Sequence, residues 1–216
     1  MSIPFENCRH SPFDEYRRQK TSEKSPGICY HWSQETCPGL KTLNISVIVK
    51  EEKKLTEFKK ITEFPRGTIY DILQDAYSFD QRNKEIWDEN WKETDNCFYD
   101  NPDIAEKYGL VTCLDGEPIG FITWDPRNRP EYVEIGHNGI REKYKGNGYG
   151  RRQLEEALNR IKSYSGLKRI IVGTNANLVA PKNYESVGFT LYDRKENGTE
   201  SSYTGDYLYY EIVLGK

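Results

Sequence analysis

The densest concentration of chemistry in the chain is the run Lys145-Gly146-Asn147-Gly148-Tyr149-Gly150-Arg151-Arg152. Glycines this close together let successive backbone N–H groups turn toward one point, and a helix starting there adds a partial positive charge. Such a turn is an anion cradle suited to a diphosphate, with Lys145, Arg151 and Arg152 adding formal charge. The same letters also describe an ordinary glycine-rich turn from strand to helix. Two named phosphate motifs do not match. No Gly-Lys-Ser/Thr follows the glycines, and the spacing is G-x-G-x-G where a dinucleotide-binding turn has G-x-G-x-x-G. Just upstream, Glu-Ile-Gly-His-Asn-Gly-Ile holds Glu134 and His137, a carboxylate and one of only three imidazoles. Either can accept a proton from a nucleophile. Strand alternation sets them on opposite faces unless a bulge intervenes, which Gly136 and Gly139 would permit. His137 reads equally as a structural hydrogen-bonding residue.

A second cluster lies near the start of the chain: Cys8, His10, Cys29, His31 and Cys37. Thiolates and imidazoles are zinc's preferred ligands. The C-x-H pairs are not finger spacing, however, and there is no C-x-x-C knuckle, so no metal site is expected.

The elements that must position these residues are those of a mixed α/β chain. Leu43, Ile45, Val47 and Val49 alternate with polar residues, which predicts a strand, and a second follows over 55–61. Ile69, Ile72, Leu73, Ala76 and Tyr77 recur at helical spacing within 66–79, and a helix over 81–93 carries Ile86, Trp87 and Trp91. Asp100-Asn101-Pro102-Asp103 reads as a loop. Strands over 108–114 and 118–125 flank Asp115-Gly116, a tight-hairpin dipeptide. A strand over 132–140 delivers Glu134 and His137 to the glycine run. A helix over 148–165 follows, with Leu154, Ala157, Leu158 and Ile161 on one face. A strand over 169–174, a helix over 180–187 and strands over 190–195 and 207–213 complete the order. Residues 1–42 hold Pro4, Pro12, Pro26 and Pro38 with no periodicity and read as an irregular arm; 43–216 read as one domain.

Composition removes several classes. The longest apolar run, Tyr207 to Tyr210, is far below the ~20 residues of a membrane helix. Charges throughout the first twenty residues argue against a signal peptide. The net charge is −3, and the basic residues Arg141, Lys143, Lys145, Arg151 and Arg152 have only Tyr144 and Tyr149 beside them for base stacking, so no nucleic-acid partner is expected. Five Cys without a C-x-x-C pair point to reduced thiols and a cytoplasmic protein. A chain of 216 residues buries roughly 70% of its unfolded surface, enough for a core despite a mean hydropathy of −0.85.

The glycine run resembles the acyl-CoA diphosphate loop of the GNAT superfamily of N-acetyltransferases, R/Q-x-x-G-x-G/A, with Lys145 where Arg or Gln is usual and Gly148 and Gly150 at the right offsets. A second motif of that family, N-x-x-A-x-x-x-Y-x-x-x-G-F, is matched at Asn177, Ala180, Tyr184, Gly188 and Phe189. The resemblance spans about Leu55 to Val213. It implies a mostly antiparallel sheet with one splayed strand and flanking helices. It also implies acetyl-CoA as co-substrate and direct acetyl transfer to a primary amine in a ternary complex. By the same resemblance Lys145, Gly146, Asn147, Gly148, Tyr149, Gly150 and Arg151 hold the diphosphate, and Ile140 and Arg141 pair with the pantetheine arm. Asn177 caps the following helix or bonds that arm, Tyr184 protonates the leaving thiolate, and Glu134 or His137 serves as base, directly or through water. Between Asp71 and Glu106 stand eleven acidic and three basic residues. As a pocket lining they favour a cationic small-molecule amine or a lysine side chain; as a solvated helix face they favour nothing. Trp87, Trp91, Phe98 and Tyr99, interleaved there, are core residues or an aromatic wall for a cation. The rival reading is a non-catalytic acyl-CoA-binding regulatory module. The acceptor's identity and a homodimeric state are left open.

Overall fold

The computed structural model describes residues 55–196 and 205–215. The expected arm, its Cys and His residues and the strand at 43–49 lie outside the described residues.

Among the described residues seven strands form one sheet in the order β1-β2-β3-β4-β5-β7-β6. Chain order begins with β1 (Thr56–Lys59), α1 (Thr68–Ala76) and α2 (Arg82–Asp100). Then come α3 (Pro102–Lys107), β2 (Gly109–Leu114), β3 (Glu117–Asp125), β4 (Val133–Ile140) and α4 (Tyr149–Lys162). The chain ends with β5 (Arg169–Asn175), α5 (Ala180–Ser186), β6 (Thr190–Lys195) and β7 (Tyr207–Val213). Every pairing is antiparallel except β4 with β5.

Local chemistry accounts for the elements. The β2–β3 hairpin turns on Asp115 at φ 50° and Gly116 at φ 84°, the left-handed pair that matches strand twist. All of β2 and the centre of β3 are buried because α1 and α4 both pack on this part of the sheet. Helix α1 buries Ile69, Ile72, Leu73 and Ala76, the face its periodicity predicts. Helix α2 runs seven residues past its expected end at 93. Its polar continuation has a tertiary purpose: the Asp95 carboxylate accepts the N–H groups of Gly67 (2.9 Å) and Tyr70 (3.2 Å) at the start of α1. A carboxylate there satisfies helix-end donors and opposes the helix dipole. The expected loop around Pro102 is instead the start of α3. Proline suits the first helical turn because its missing N–H would have had no acceptor anyway.

Two irregularities shape the middle of the sheet. Strands β4 and β5 pair only at Val133↔Ile170 and Glu134↔Ile171 and then part. Between β3 and β4, Ile122 faces Asn138 but Trp124 faces Ile135, so β4 carries one extra residue there: a bulge. Gly136 sits in it, where an added Cβ would lie 2.6 Å from Thr123 Oγ1.

Cys113 is a buried free thiol, and Cys8, Cys29 and Cys37 lie outside the described residues. No described helix is long and apolar enough to cross a membrane.

Candidate active site

Where β4 and β5 separate, a cleft of about 130 Å³ opens, lined from three sides. Gly136, His137 and Asn138 of β4 face Gly173, Thr174 and Asn175 of β5. Helix α5 contributes Tyr184, and α2 closes the cleft with Trp87, Asn90 and Trp91. Tyr207 crosses from β7 so closely that a Cβ on Gly173 would sit 2.3 Å from its hydroxyl. Of the expected aromatics, Trp87 and Trp91 wall the cleft, Phe98 belongs to the core, and Tyr99 stands under the Arg66 guanidinium.

The bulge brings His137 into this cleft. Its Nε2 lies 3.3 Å from Thr94 Oγ1, and that hydroxyl donates its one proton to the Asn90 carbonyl at 2.9 Å. The hydroxyl is therefore an acceptor toward the ring, so Nε2 carries the imidazole proton and Nδ1 keeps its lone pair. Burial pushes the imidazole's pKa down to about 4, so the ring is neutral at pH 7. Glu134 does not line the cleft. It stands where β4 and β5 still pair, and its charge is felt by the Tyr192 phenol of β6.

Tyr184 is only 4% exposed and packs edge-on against Phe189, with ring centroids 5.7 Å apart. Burial raises its pKa well above the usual phenol range, the neighbouring Tyr77 adds to this, and the Asn138 amide beside it opposes the rise. The phenol is thus protonated at neutral pH.

The glycine turn lies between β4 and α4. Gly146 and Gly148 take φ of 77° and 79°, which only glycine adopts freely. The N–H groups of residues 146–151 bond no acceptor among the described residues. Six consecutive donors at the head of a 14-residue helix are the kind of group that a diphosphate-like anion accepts from. The basic side chains nearby are spoken for. Lys145 Nζ bonds the Ala76 carbonyl that ends α1 and the Glu142 carboxylate, both at 2.5 Å. Arg151 pairs with Glu155 at 2.8 Å. Arg141 ties β4 back to the Pro118 carbonyl (2.9 Å) and to Asp75 (3.5 Å). Ile140 is nearly buried beside Gly150. Asn177 is exposed and lies against Gly205, it is not among the residues that line the cleft, and the N-cap position of α5 falls at Val179.

Sequence periodicity missed Asn90, Thr94, Asn138, Gln153 and Tyr207. The first four are polar residues inside helix or strand patterns, where an apolar period gives no reason to single them out. Tyr207 was indistinguishable from its tyrosine neighbours in β7.

A sequence model of the Acetyltransferase (GNAT) family matches residues 67–189, which spans the bulge, the glycine turn and Tyr184. A search of curated protein sequences found no match. Among solved structures, the ribosomal-protein-S18-alanine N-acetyltransferase from Escherichia coli is similar at TM-score 0.57 and 16% identity, covering 75% of this chain and 96% of that one. The yncA protein from Salmonella typhimurium, solved with acetyl-CoA, gives 0.59 and 16%, covering 74% and 95%. The PaiA N-acetyltransferase from Thermoplasma acidophilum, in complex with coenzyme A, gives 0.59 and 16%, covering 74% and 99%. These likenesses establish a shared fold, and the family match covers more than half of the sequence: the chain belongs to the GNAT family of acetyltransferases.

Proposed function

We propose that the protein transfers the acetyl group of acetyl-CoA to the primary amine of a cationic acceptor, directly, with both molecules bound at once. The carrying observation is the run of six N–H groups at 146–151 that bond no acceptor among the described residues and lead to a cleft with a protonated Tyr184 and a neutral His137. These residues fit acetyl-CoA: the amides suit its diphosphate, and the facing edges of β4 after Glu134 and β5 after Ile171, which do not pair with each other, suit the amides of its pantetheine arm. Bound acetyl-CoA supplies an activated thioester, whose carbonyl carbon takes the amine nitrogen as the C–S bond breaks.

The chain's own groups handle the protons. His137 Nδ1 faces the amine and accepts its N–H, orienting the nitrogen lone pair. With a pKa near 4 the imidazole is a weak base, so the amine proton leaves through water, and Glu134 is the carboxylate that receives it. Tyr184 holds its proton at neutral pH and gives it to the thiolate as the C–S bond breaks, so that no free thiolate is left in the buried cleft. Asn177 and the side chains of Lys145, Arg141 and Arg151 are structural in this reading, and the diphosphate falls to backbone N–H groups.

The acceptor class is supported by a groove between α1 and α2 lined by Asp80, Glu85, Asp88, Glu89 and a single Lys84. It shares Tyr77 and Trp91 with the cleft, so a cation held there can reach His137. Calorimetry with acetyl-CoA, then thiol release with a polyamine, an aminoglycoside and a lysine peptide, tests the reading. Micromolar binding and turnover of at least one amine are expected. Binding with no turnover of any amine would make the protein an acyl-CoA-binding module instead, and no binding would remove acetyl-CoA from the account.

A further inference from the structure

Gln153 faces inward from α4 and is fully buried, among Leu154, Ala157 and Leu158. A buried glutamine must place one oxygen and two protons, and a leucine there would need none of this. Its Nε2 lies 2.9 Å from the Phe121 carbonyl, 2.8 Å from Asn138 Oδ1 and 3.3 Å from the Gly139 carbonyl; its Oε1 accepts from Thr112 Oγ1 at 2.6 Å. Backbone carbonyls only accept, so nitrogen must stand on their side and the amide has one orientation. The sheet is built around it: a Cβ on Gly120 would lie 2.8 Å from Gln153 Oε1 and 2.7 Å from the Gly139 carbonyl.

The orientation propagates. Asn138 turns its oxygen to Gln153, which leaves its NH₂ group for the cleft that it lines together with Tyr184. We propose that Gln153, through Asn138, is a positioning residue for Tyr184: it makes the phenol oxygen an acceptor, so that the phenol's own proton is free for the leaving thiolate. An Asn138 turned the other way would present its carbonyl and tie up that proton. The inference rests on Tyr184 being the acid and adds what keeps its proton available.

A double-mutant cycle tests it, with acetyl-CoA as donor and the fastest amine of the panel as acceptor. Gln153→Leu and Asn138→Asp should each lower kcat by roughly 10- to 100-fold while leaving KM for acetyl-CoA in place. Neither should cost anything further in a Tyr184→Phe background. Side-chain amide ¹H–¹⁵N spectra of the ligand-free protein give a second readout: the Asn138 NH₂ signal should move in Tyr184→Phe and again in Gln153→Leu. Should Gln153→Leu not fold, Asn138→Asp and the spectrum of Tyr184→Phe still decide. Equal losses in both backgrounds, or an Asn138 signal indifferent to Tyr184→Phe, overturn the positioning role alone. An unchanged kcat in Tyr184→Phe removes the acid itself, and this inference with it.

Discussion

A phenol works as an acid only while it holds its proton, and burial secures that for Tyr184. Tyr184→Phe should therefore lower kcat by about 10²-fold or more, with the acetyl-CoA dissociation constant unchanged by calorimetry. His137 makes an opposite demand, since its burial favours the neutral ring. The unfolded imidazole titrates near 6.5 and the folded one near 4, so between those values the unfolded state binds more protons. Stability contributed by His137 is complete above pH 6.5 and is lost as pH falls toward 4. Urea melts at pH 7, 5.5 and 4.5 should show this decline, and His137→Asn should flatten it. The sequence disclosed Tyr184 because a tyrosine at fixed offsets from Gly188 and Phe189 is a pattern. It gave no means of choosing between Glu134 and His137, because a bulge overturns the alternation on which such a choice depends. Asn138 and Gln153 escaped for another reason. Their importance lies in which end of an amide points where, and composition and spacing carry no trace of that.

The elements were legible wherever apolar residues kept a period or a turn needed glycine. The Asp115-Gly116 hairpin, the buried face of α4 and the strand–turn–helix from β4 into α4 all follow from such signals. Helix α2 outran its expected end because Asp95 is retained for the start of α1, a contact 25 to 28 residues distant in sequence that no local pattern expresses. The glycine turn lends itself to a controlled comparison. Gly148 and Gly166 share a left-handed φ, 79° and 71°, and neither has an atom within 4 Å of an added Cβ. Alanine at either position should cost about 1–2 kcal/mol of backbone strain, read as similar losses in Tm. Only Gly148→Ala should also weaken acetyl-CoA binding, by tenfold or more in calorimetry, because its methyl would stand where the diphosphate must approach. Equal affinities in the two variants would move the anion away from this turn.

At the scale of the whole molecule, a net charge of −3 hides an uneven distribution, with carboxylates gathered along the groove beside the cleft. Glu85 makes no ion pair among the described residues, whereas Asp88 and Glu89 share Lys92. A cationic acceptor should therefore show a KM that rises several-fold between 50 and 500 mM salt, and that rises again in Glu85→Gln with kcat unaltered. A neutral amine should show neither effect. The parting of β4 and β5 has the widest reach. A sheet that divides in its middle has two inner margins of amides and carbonyls with no described strand between them, and a chain-like ligand laid along both becomes the missing seam. Occupancy then closes the molecule across its full width: at a hundred times its dissociation constant such a ligand adds about 2.7 kcal/mol against unfolding. The gain should surface as slowed amide exchange in 135–140 and 172–175, on both banks of the divide at once.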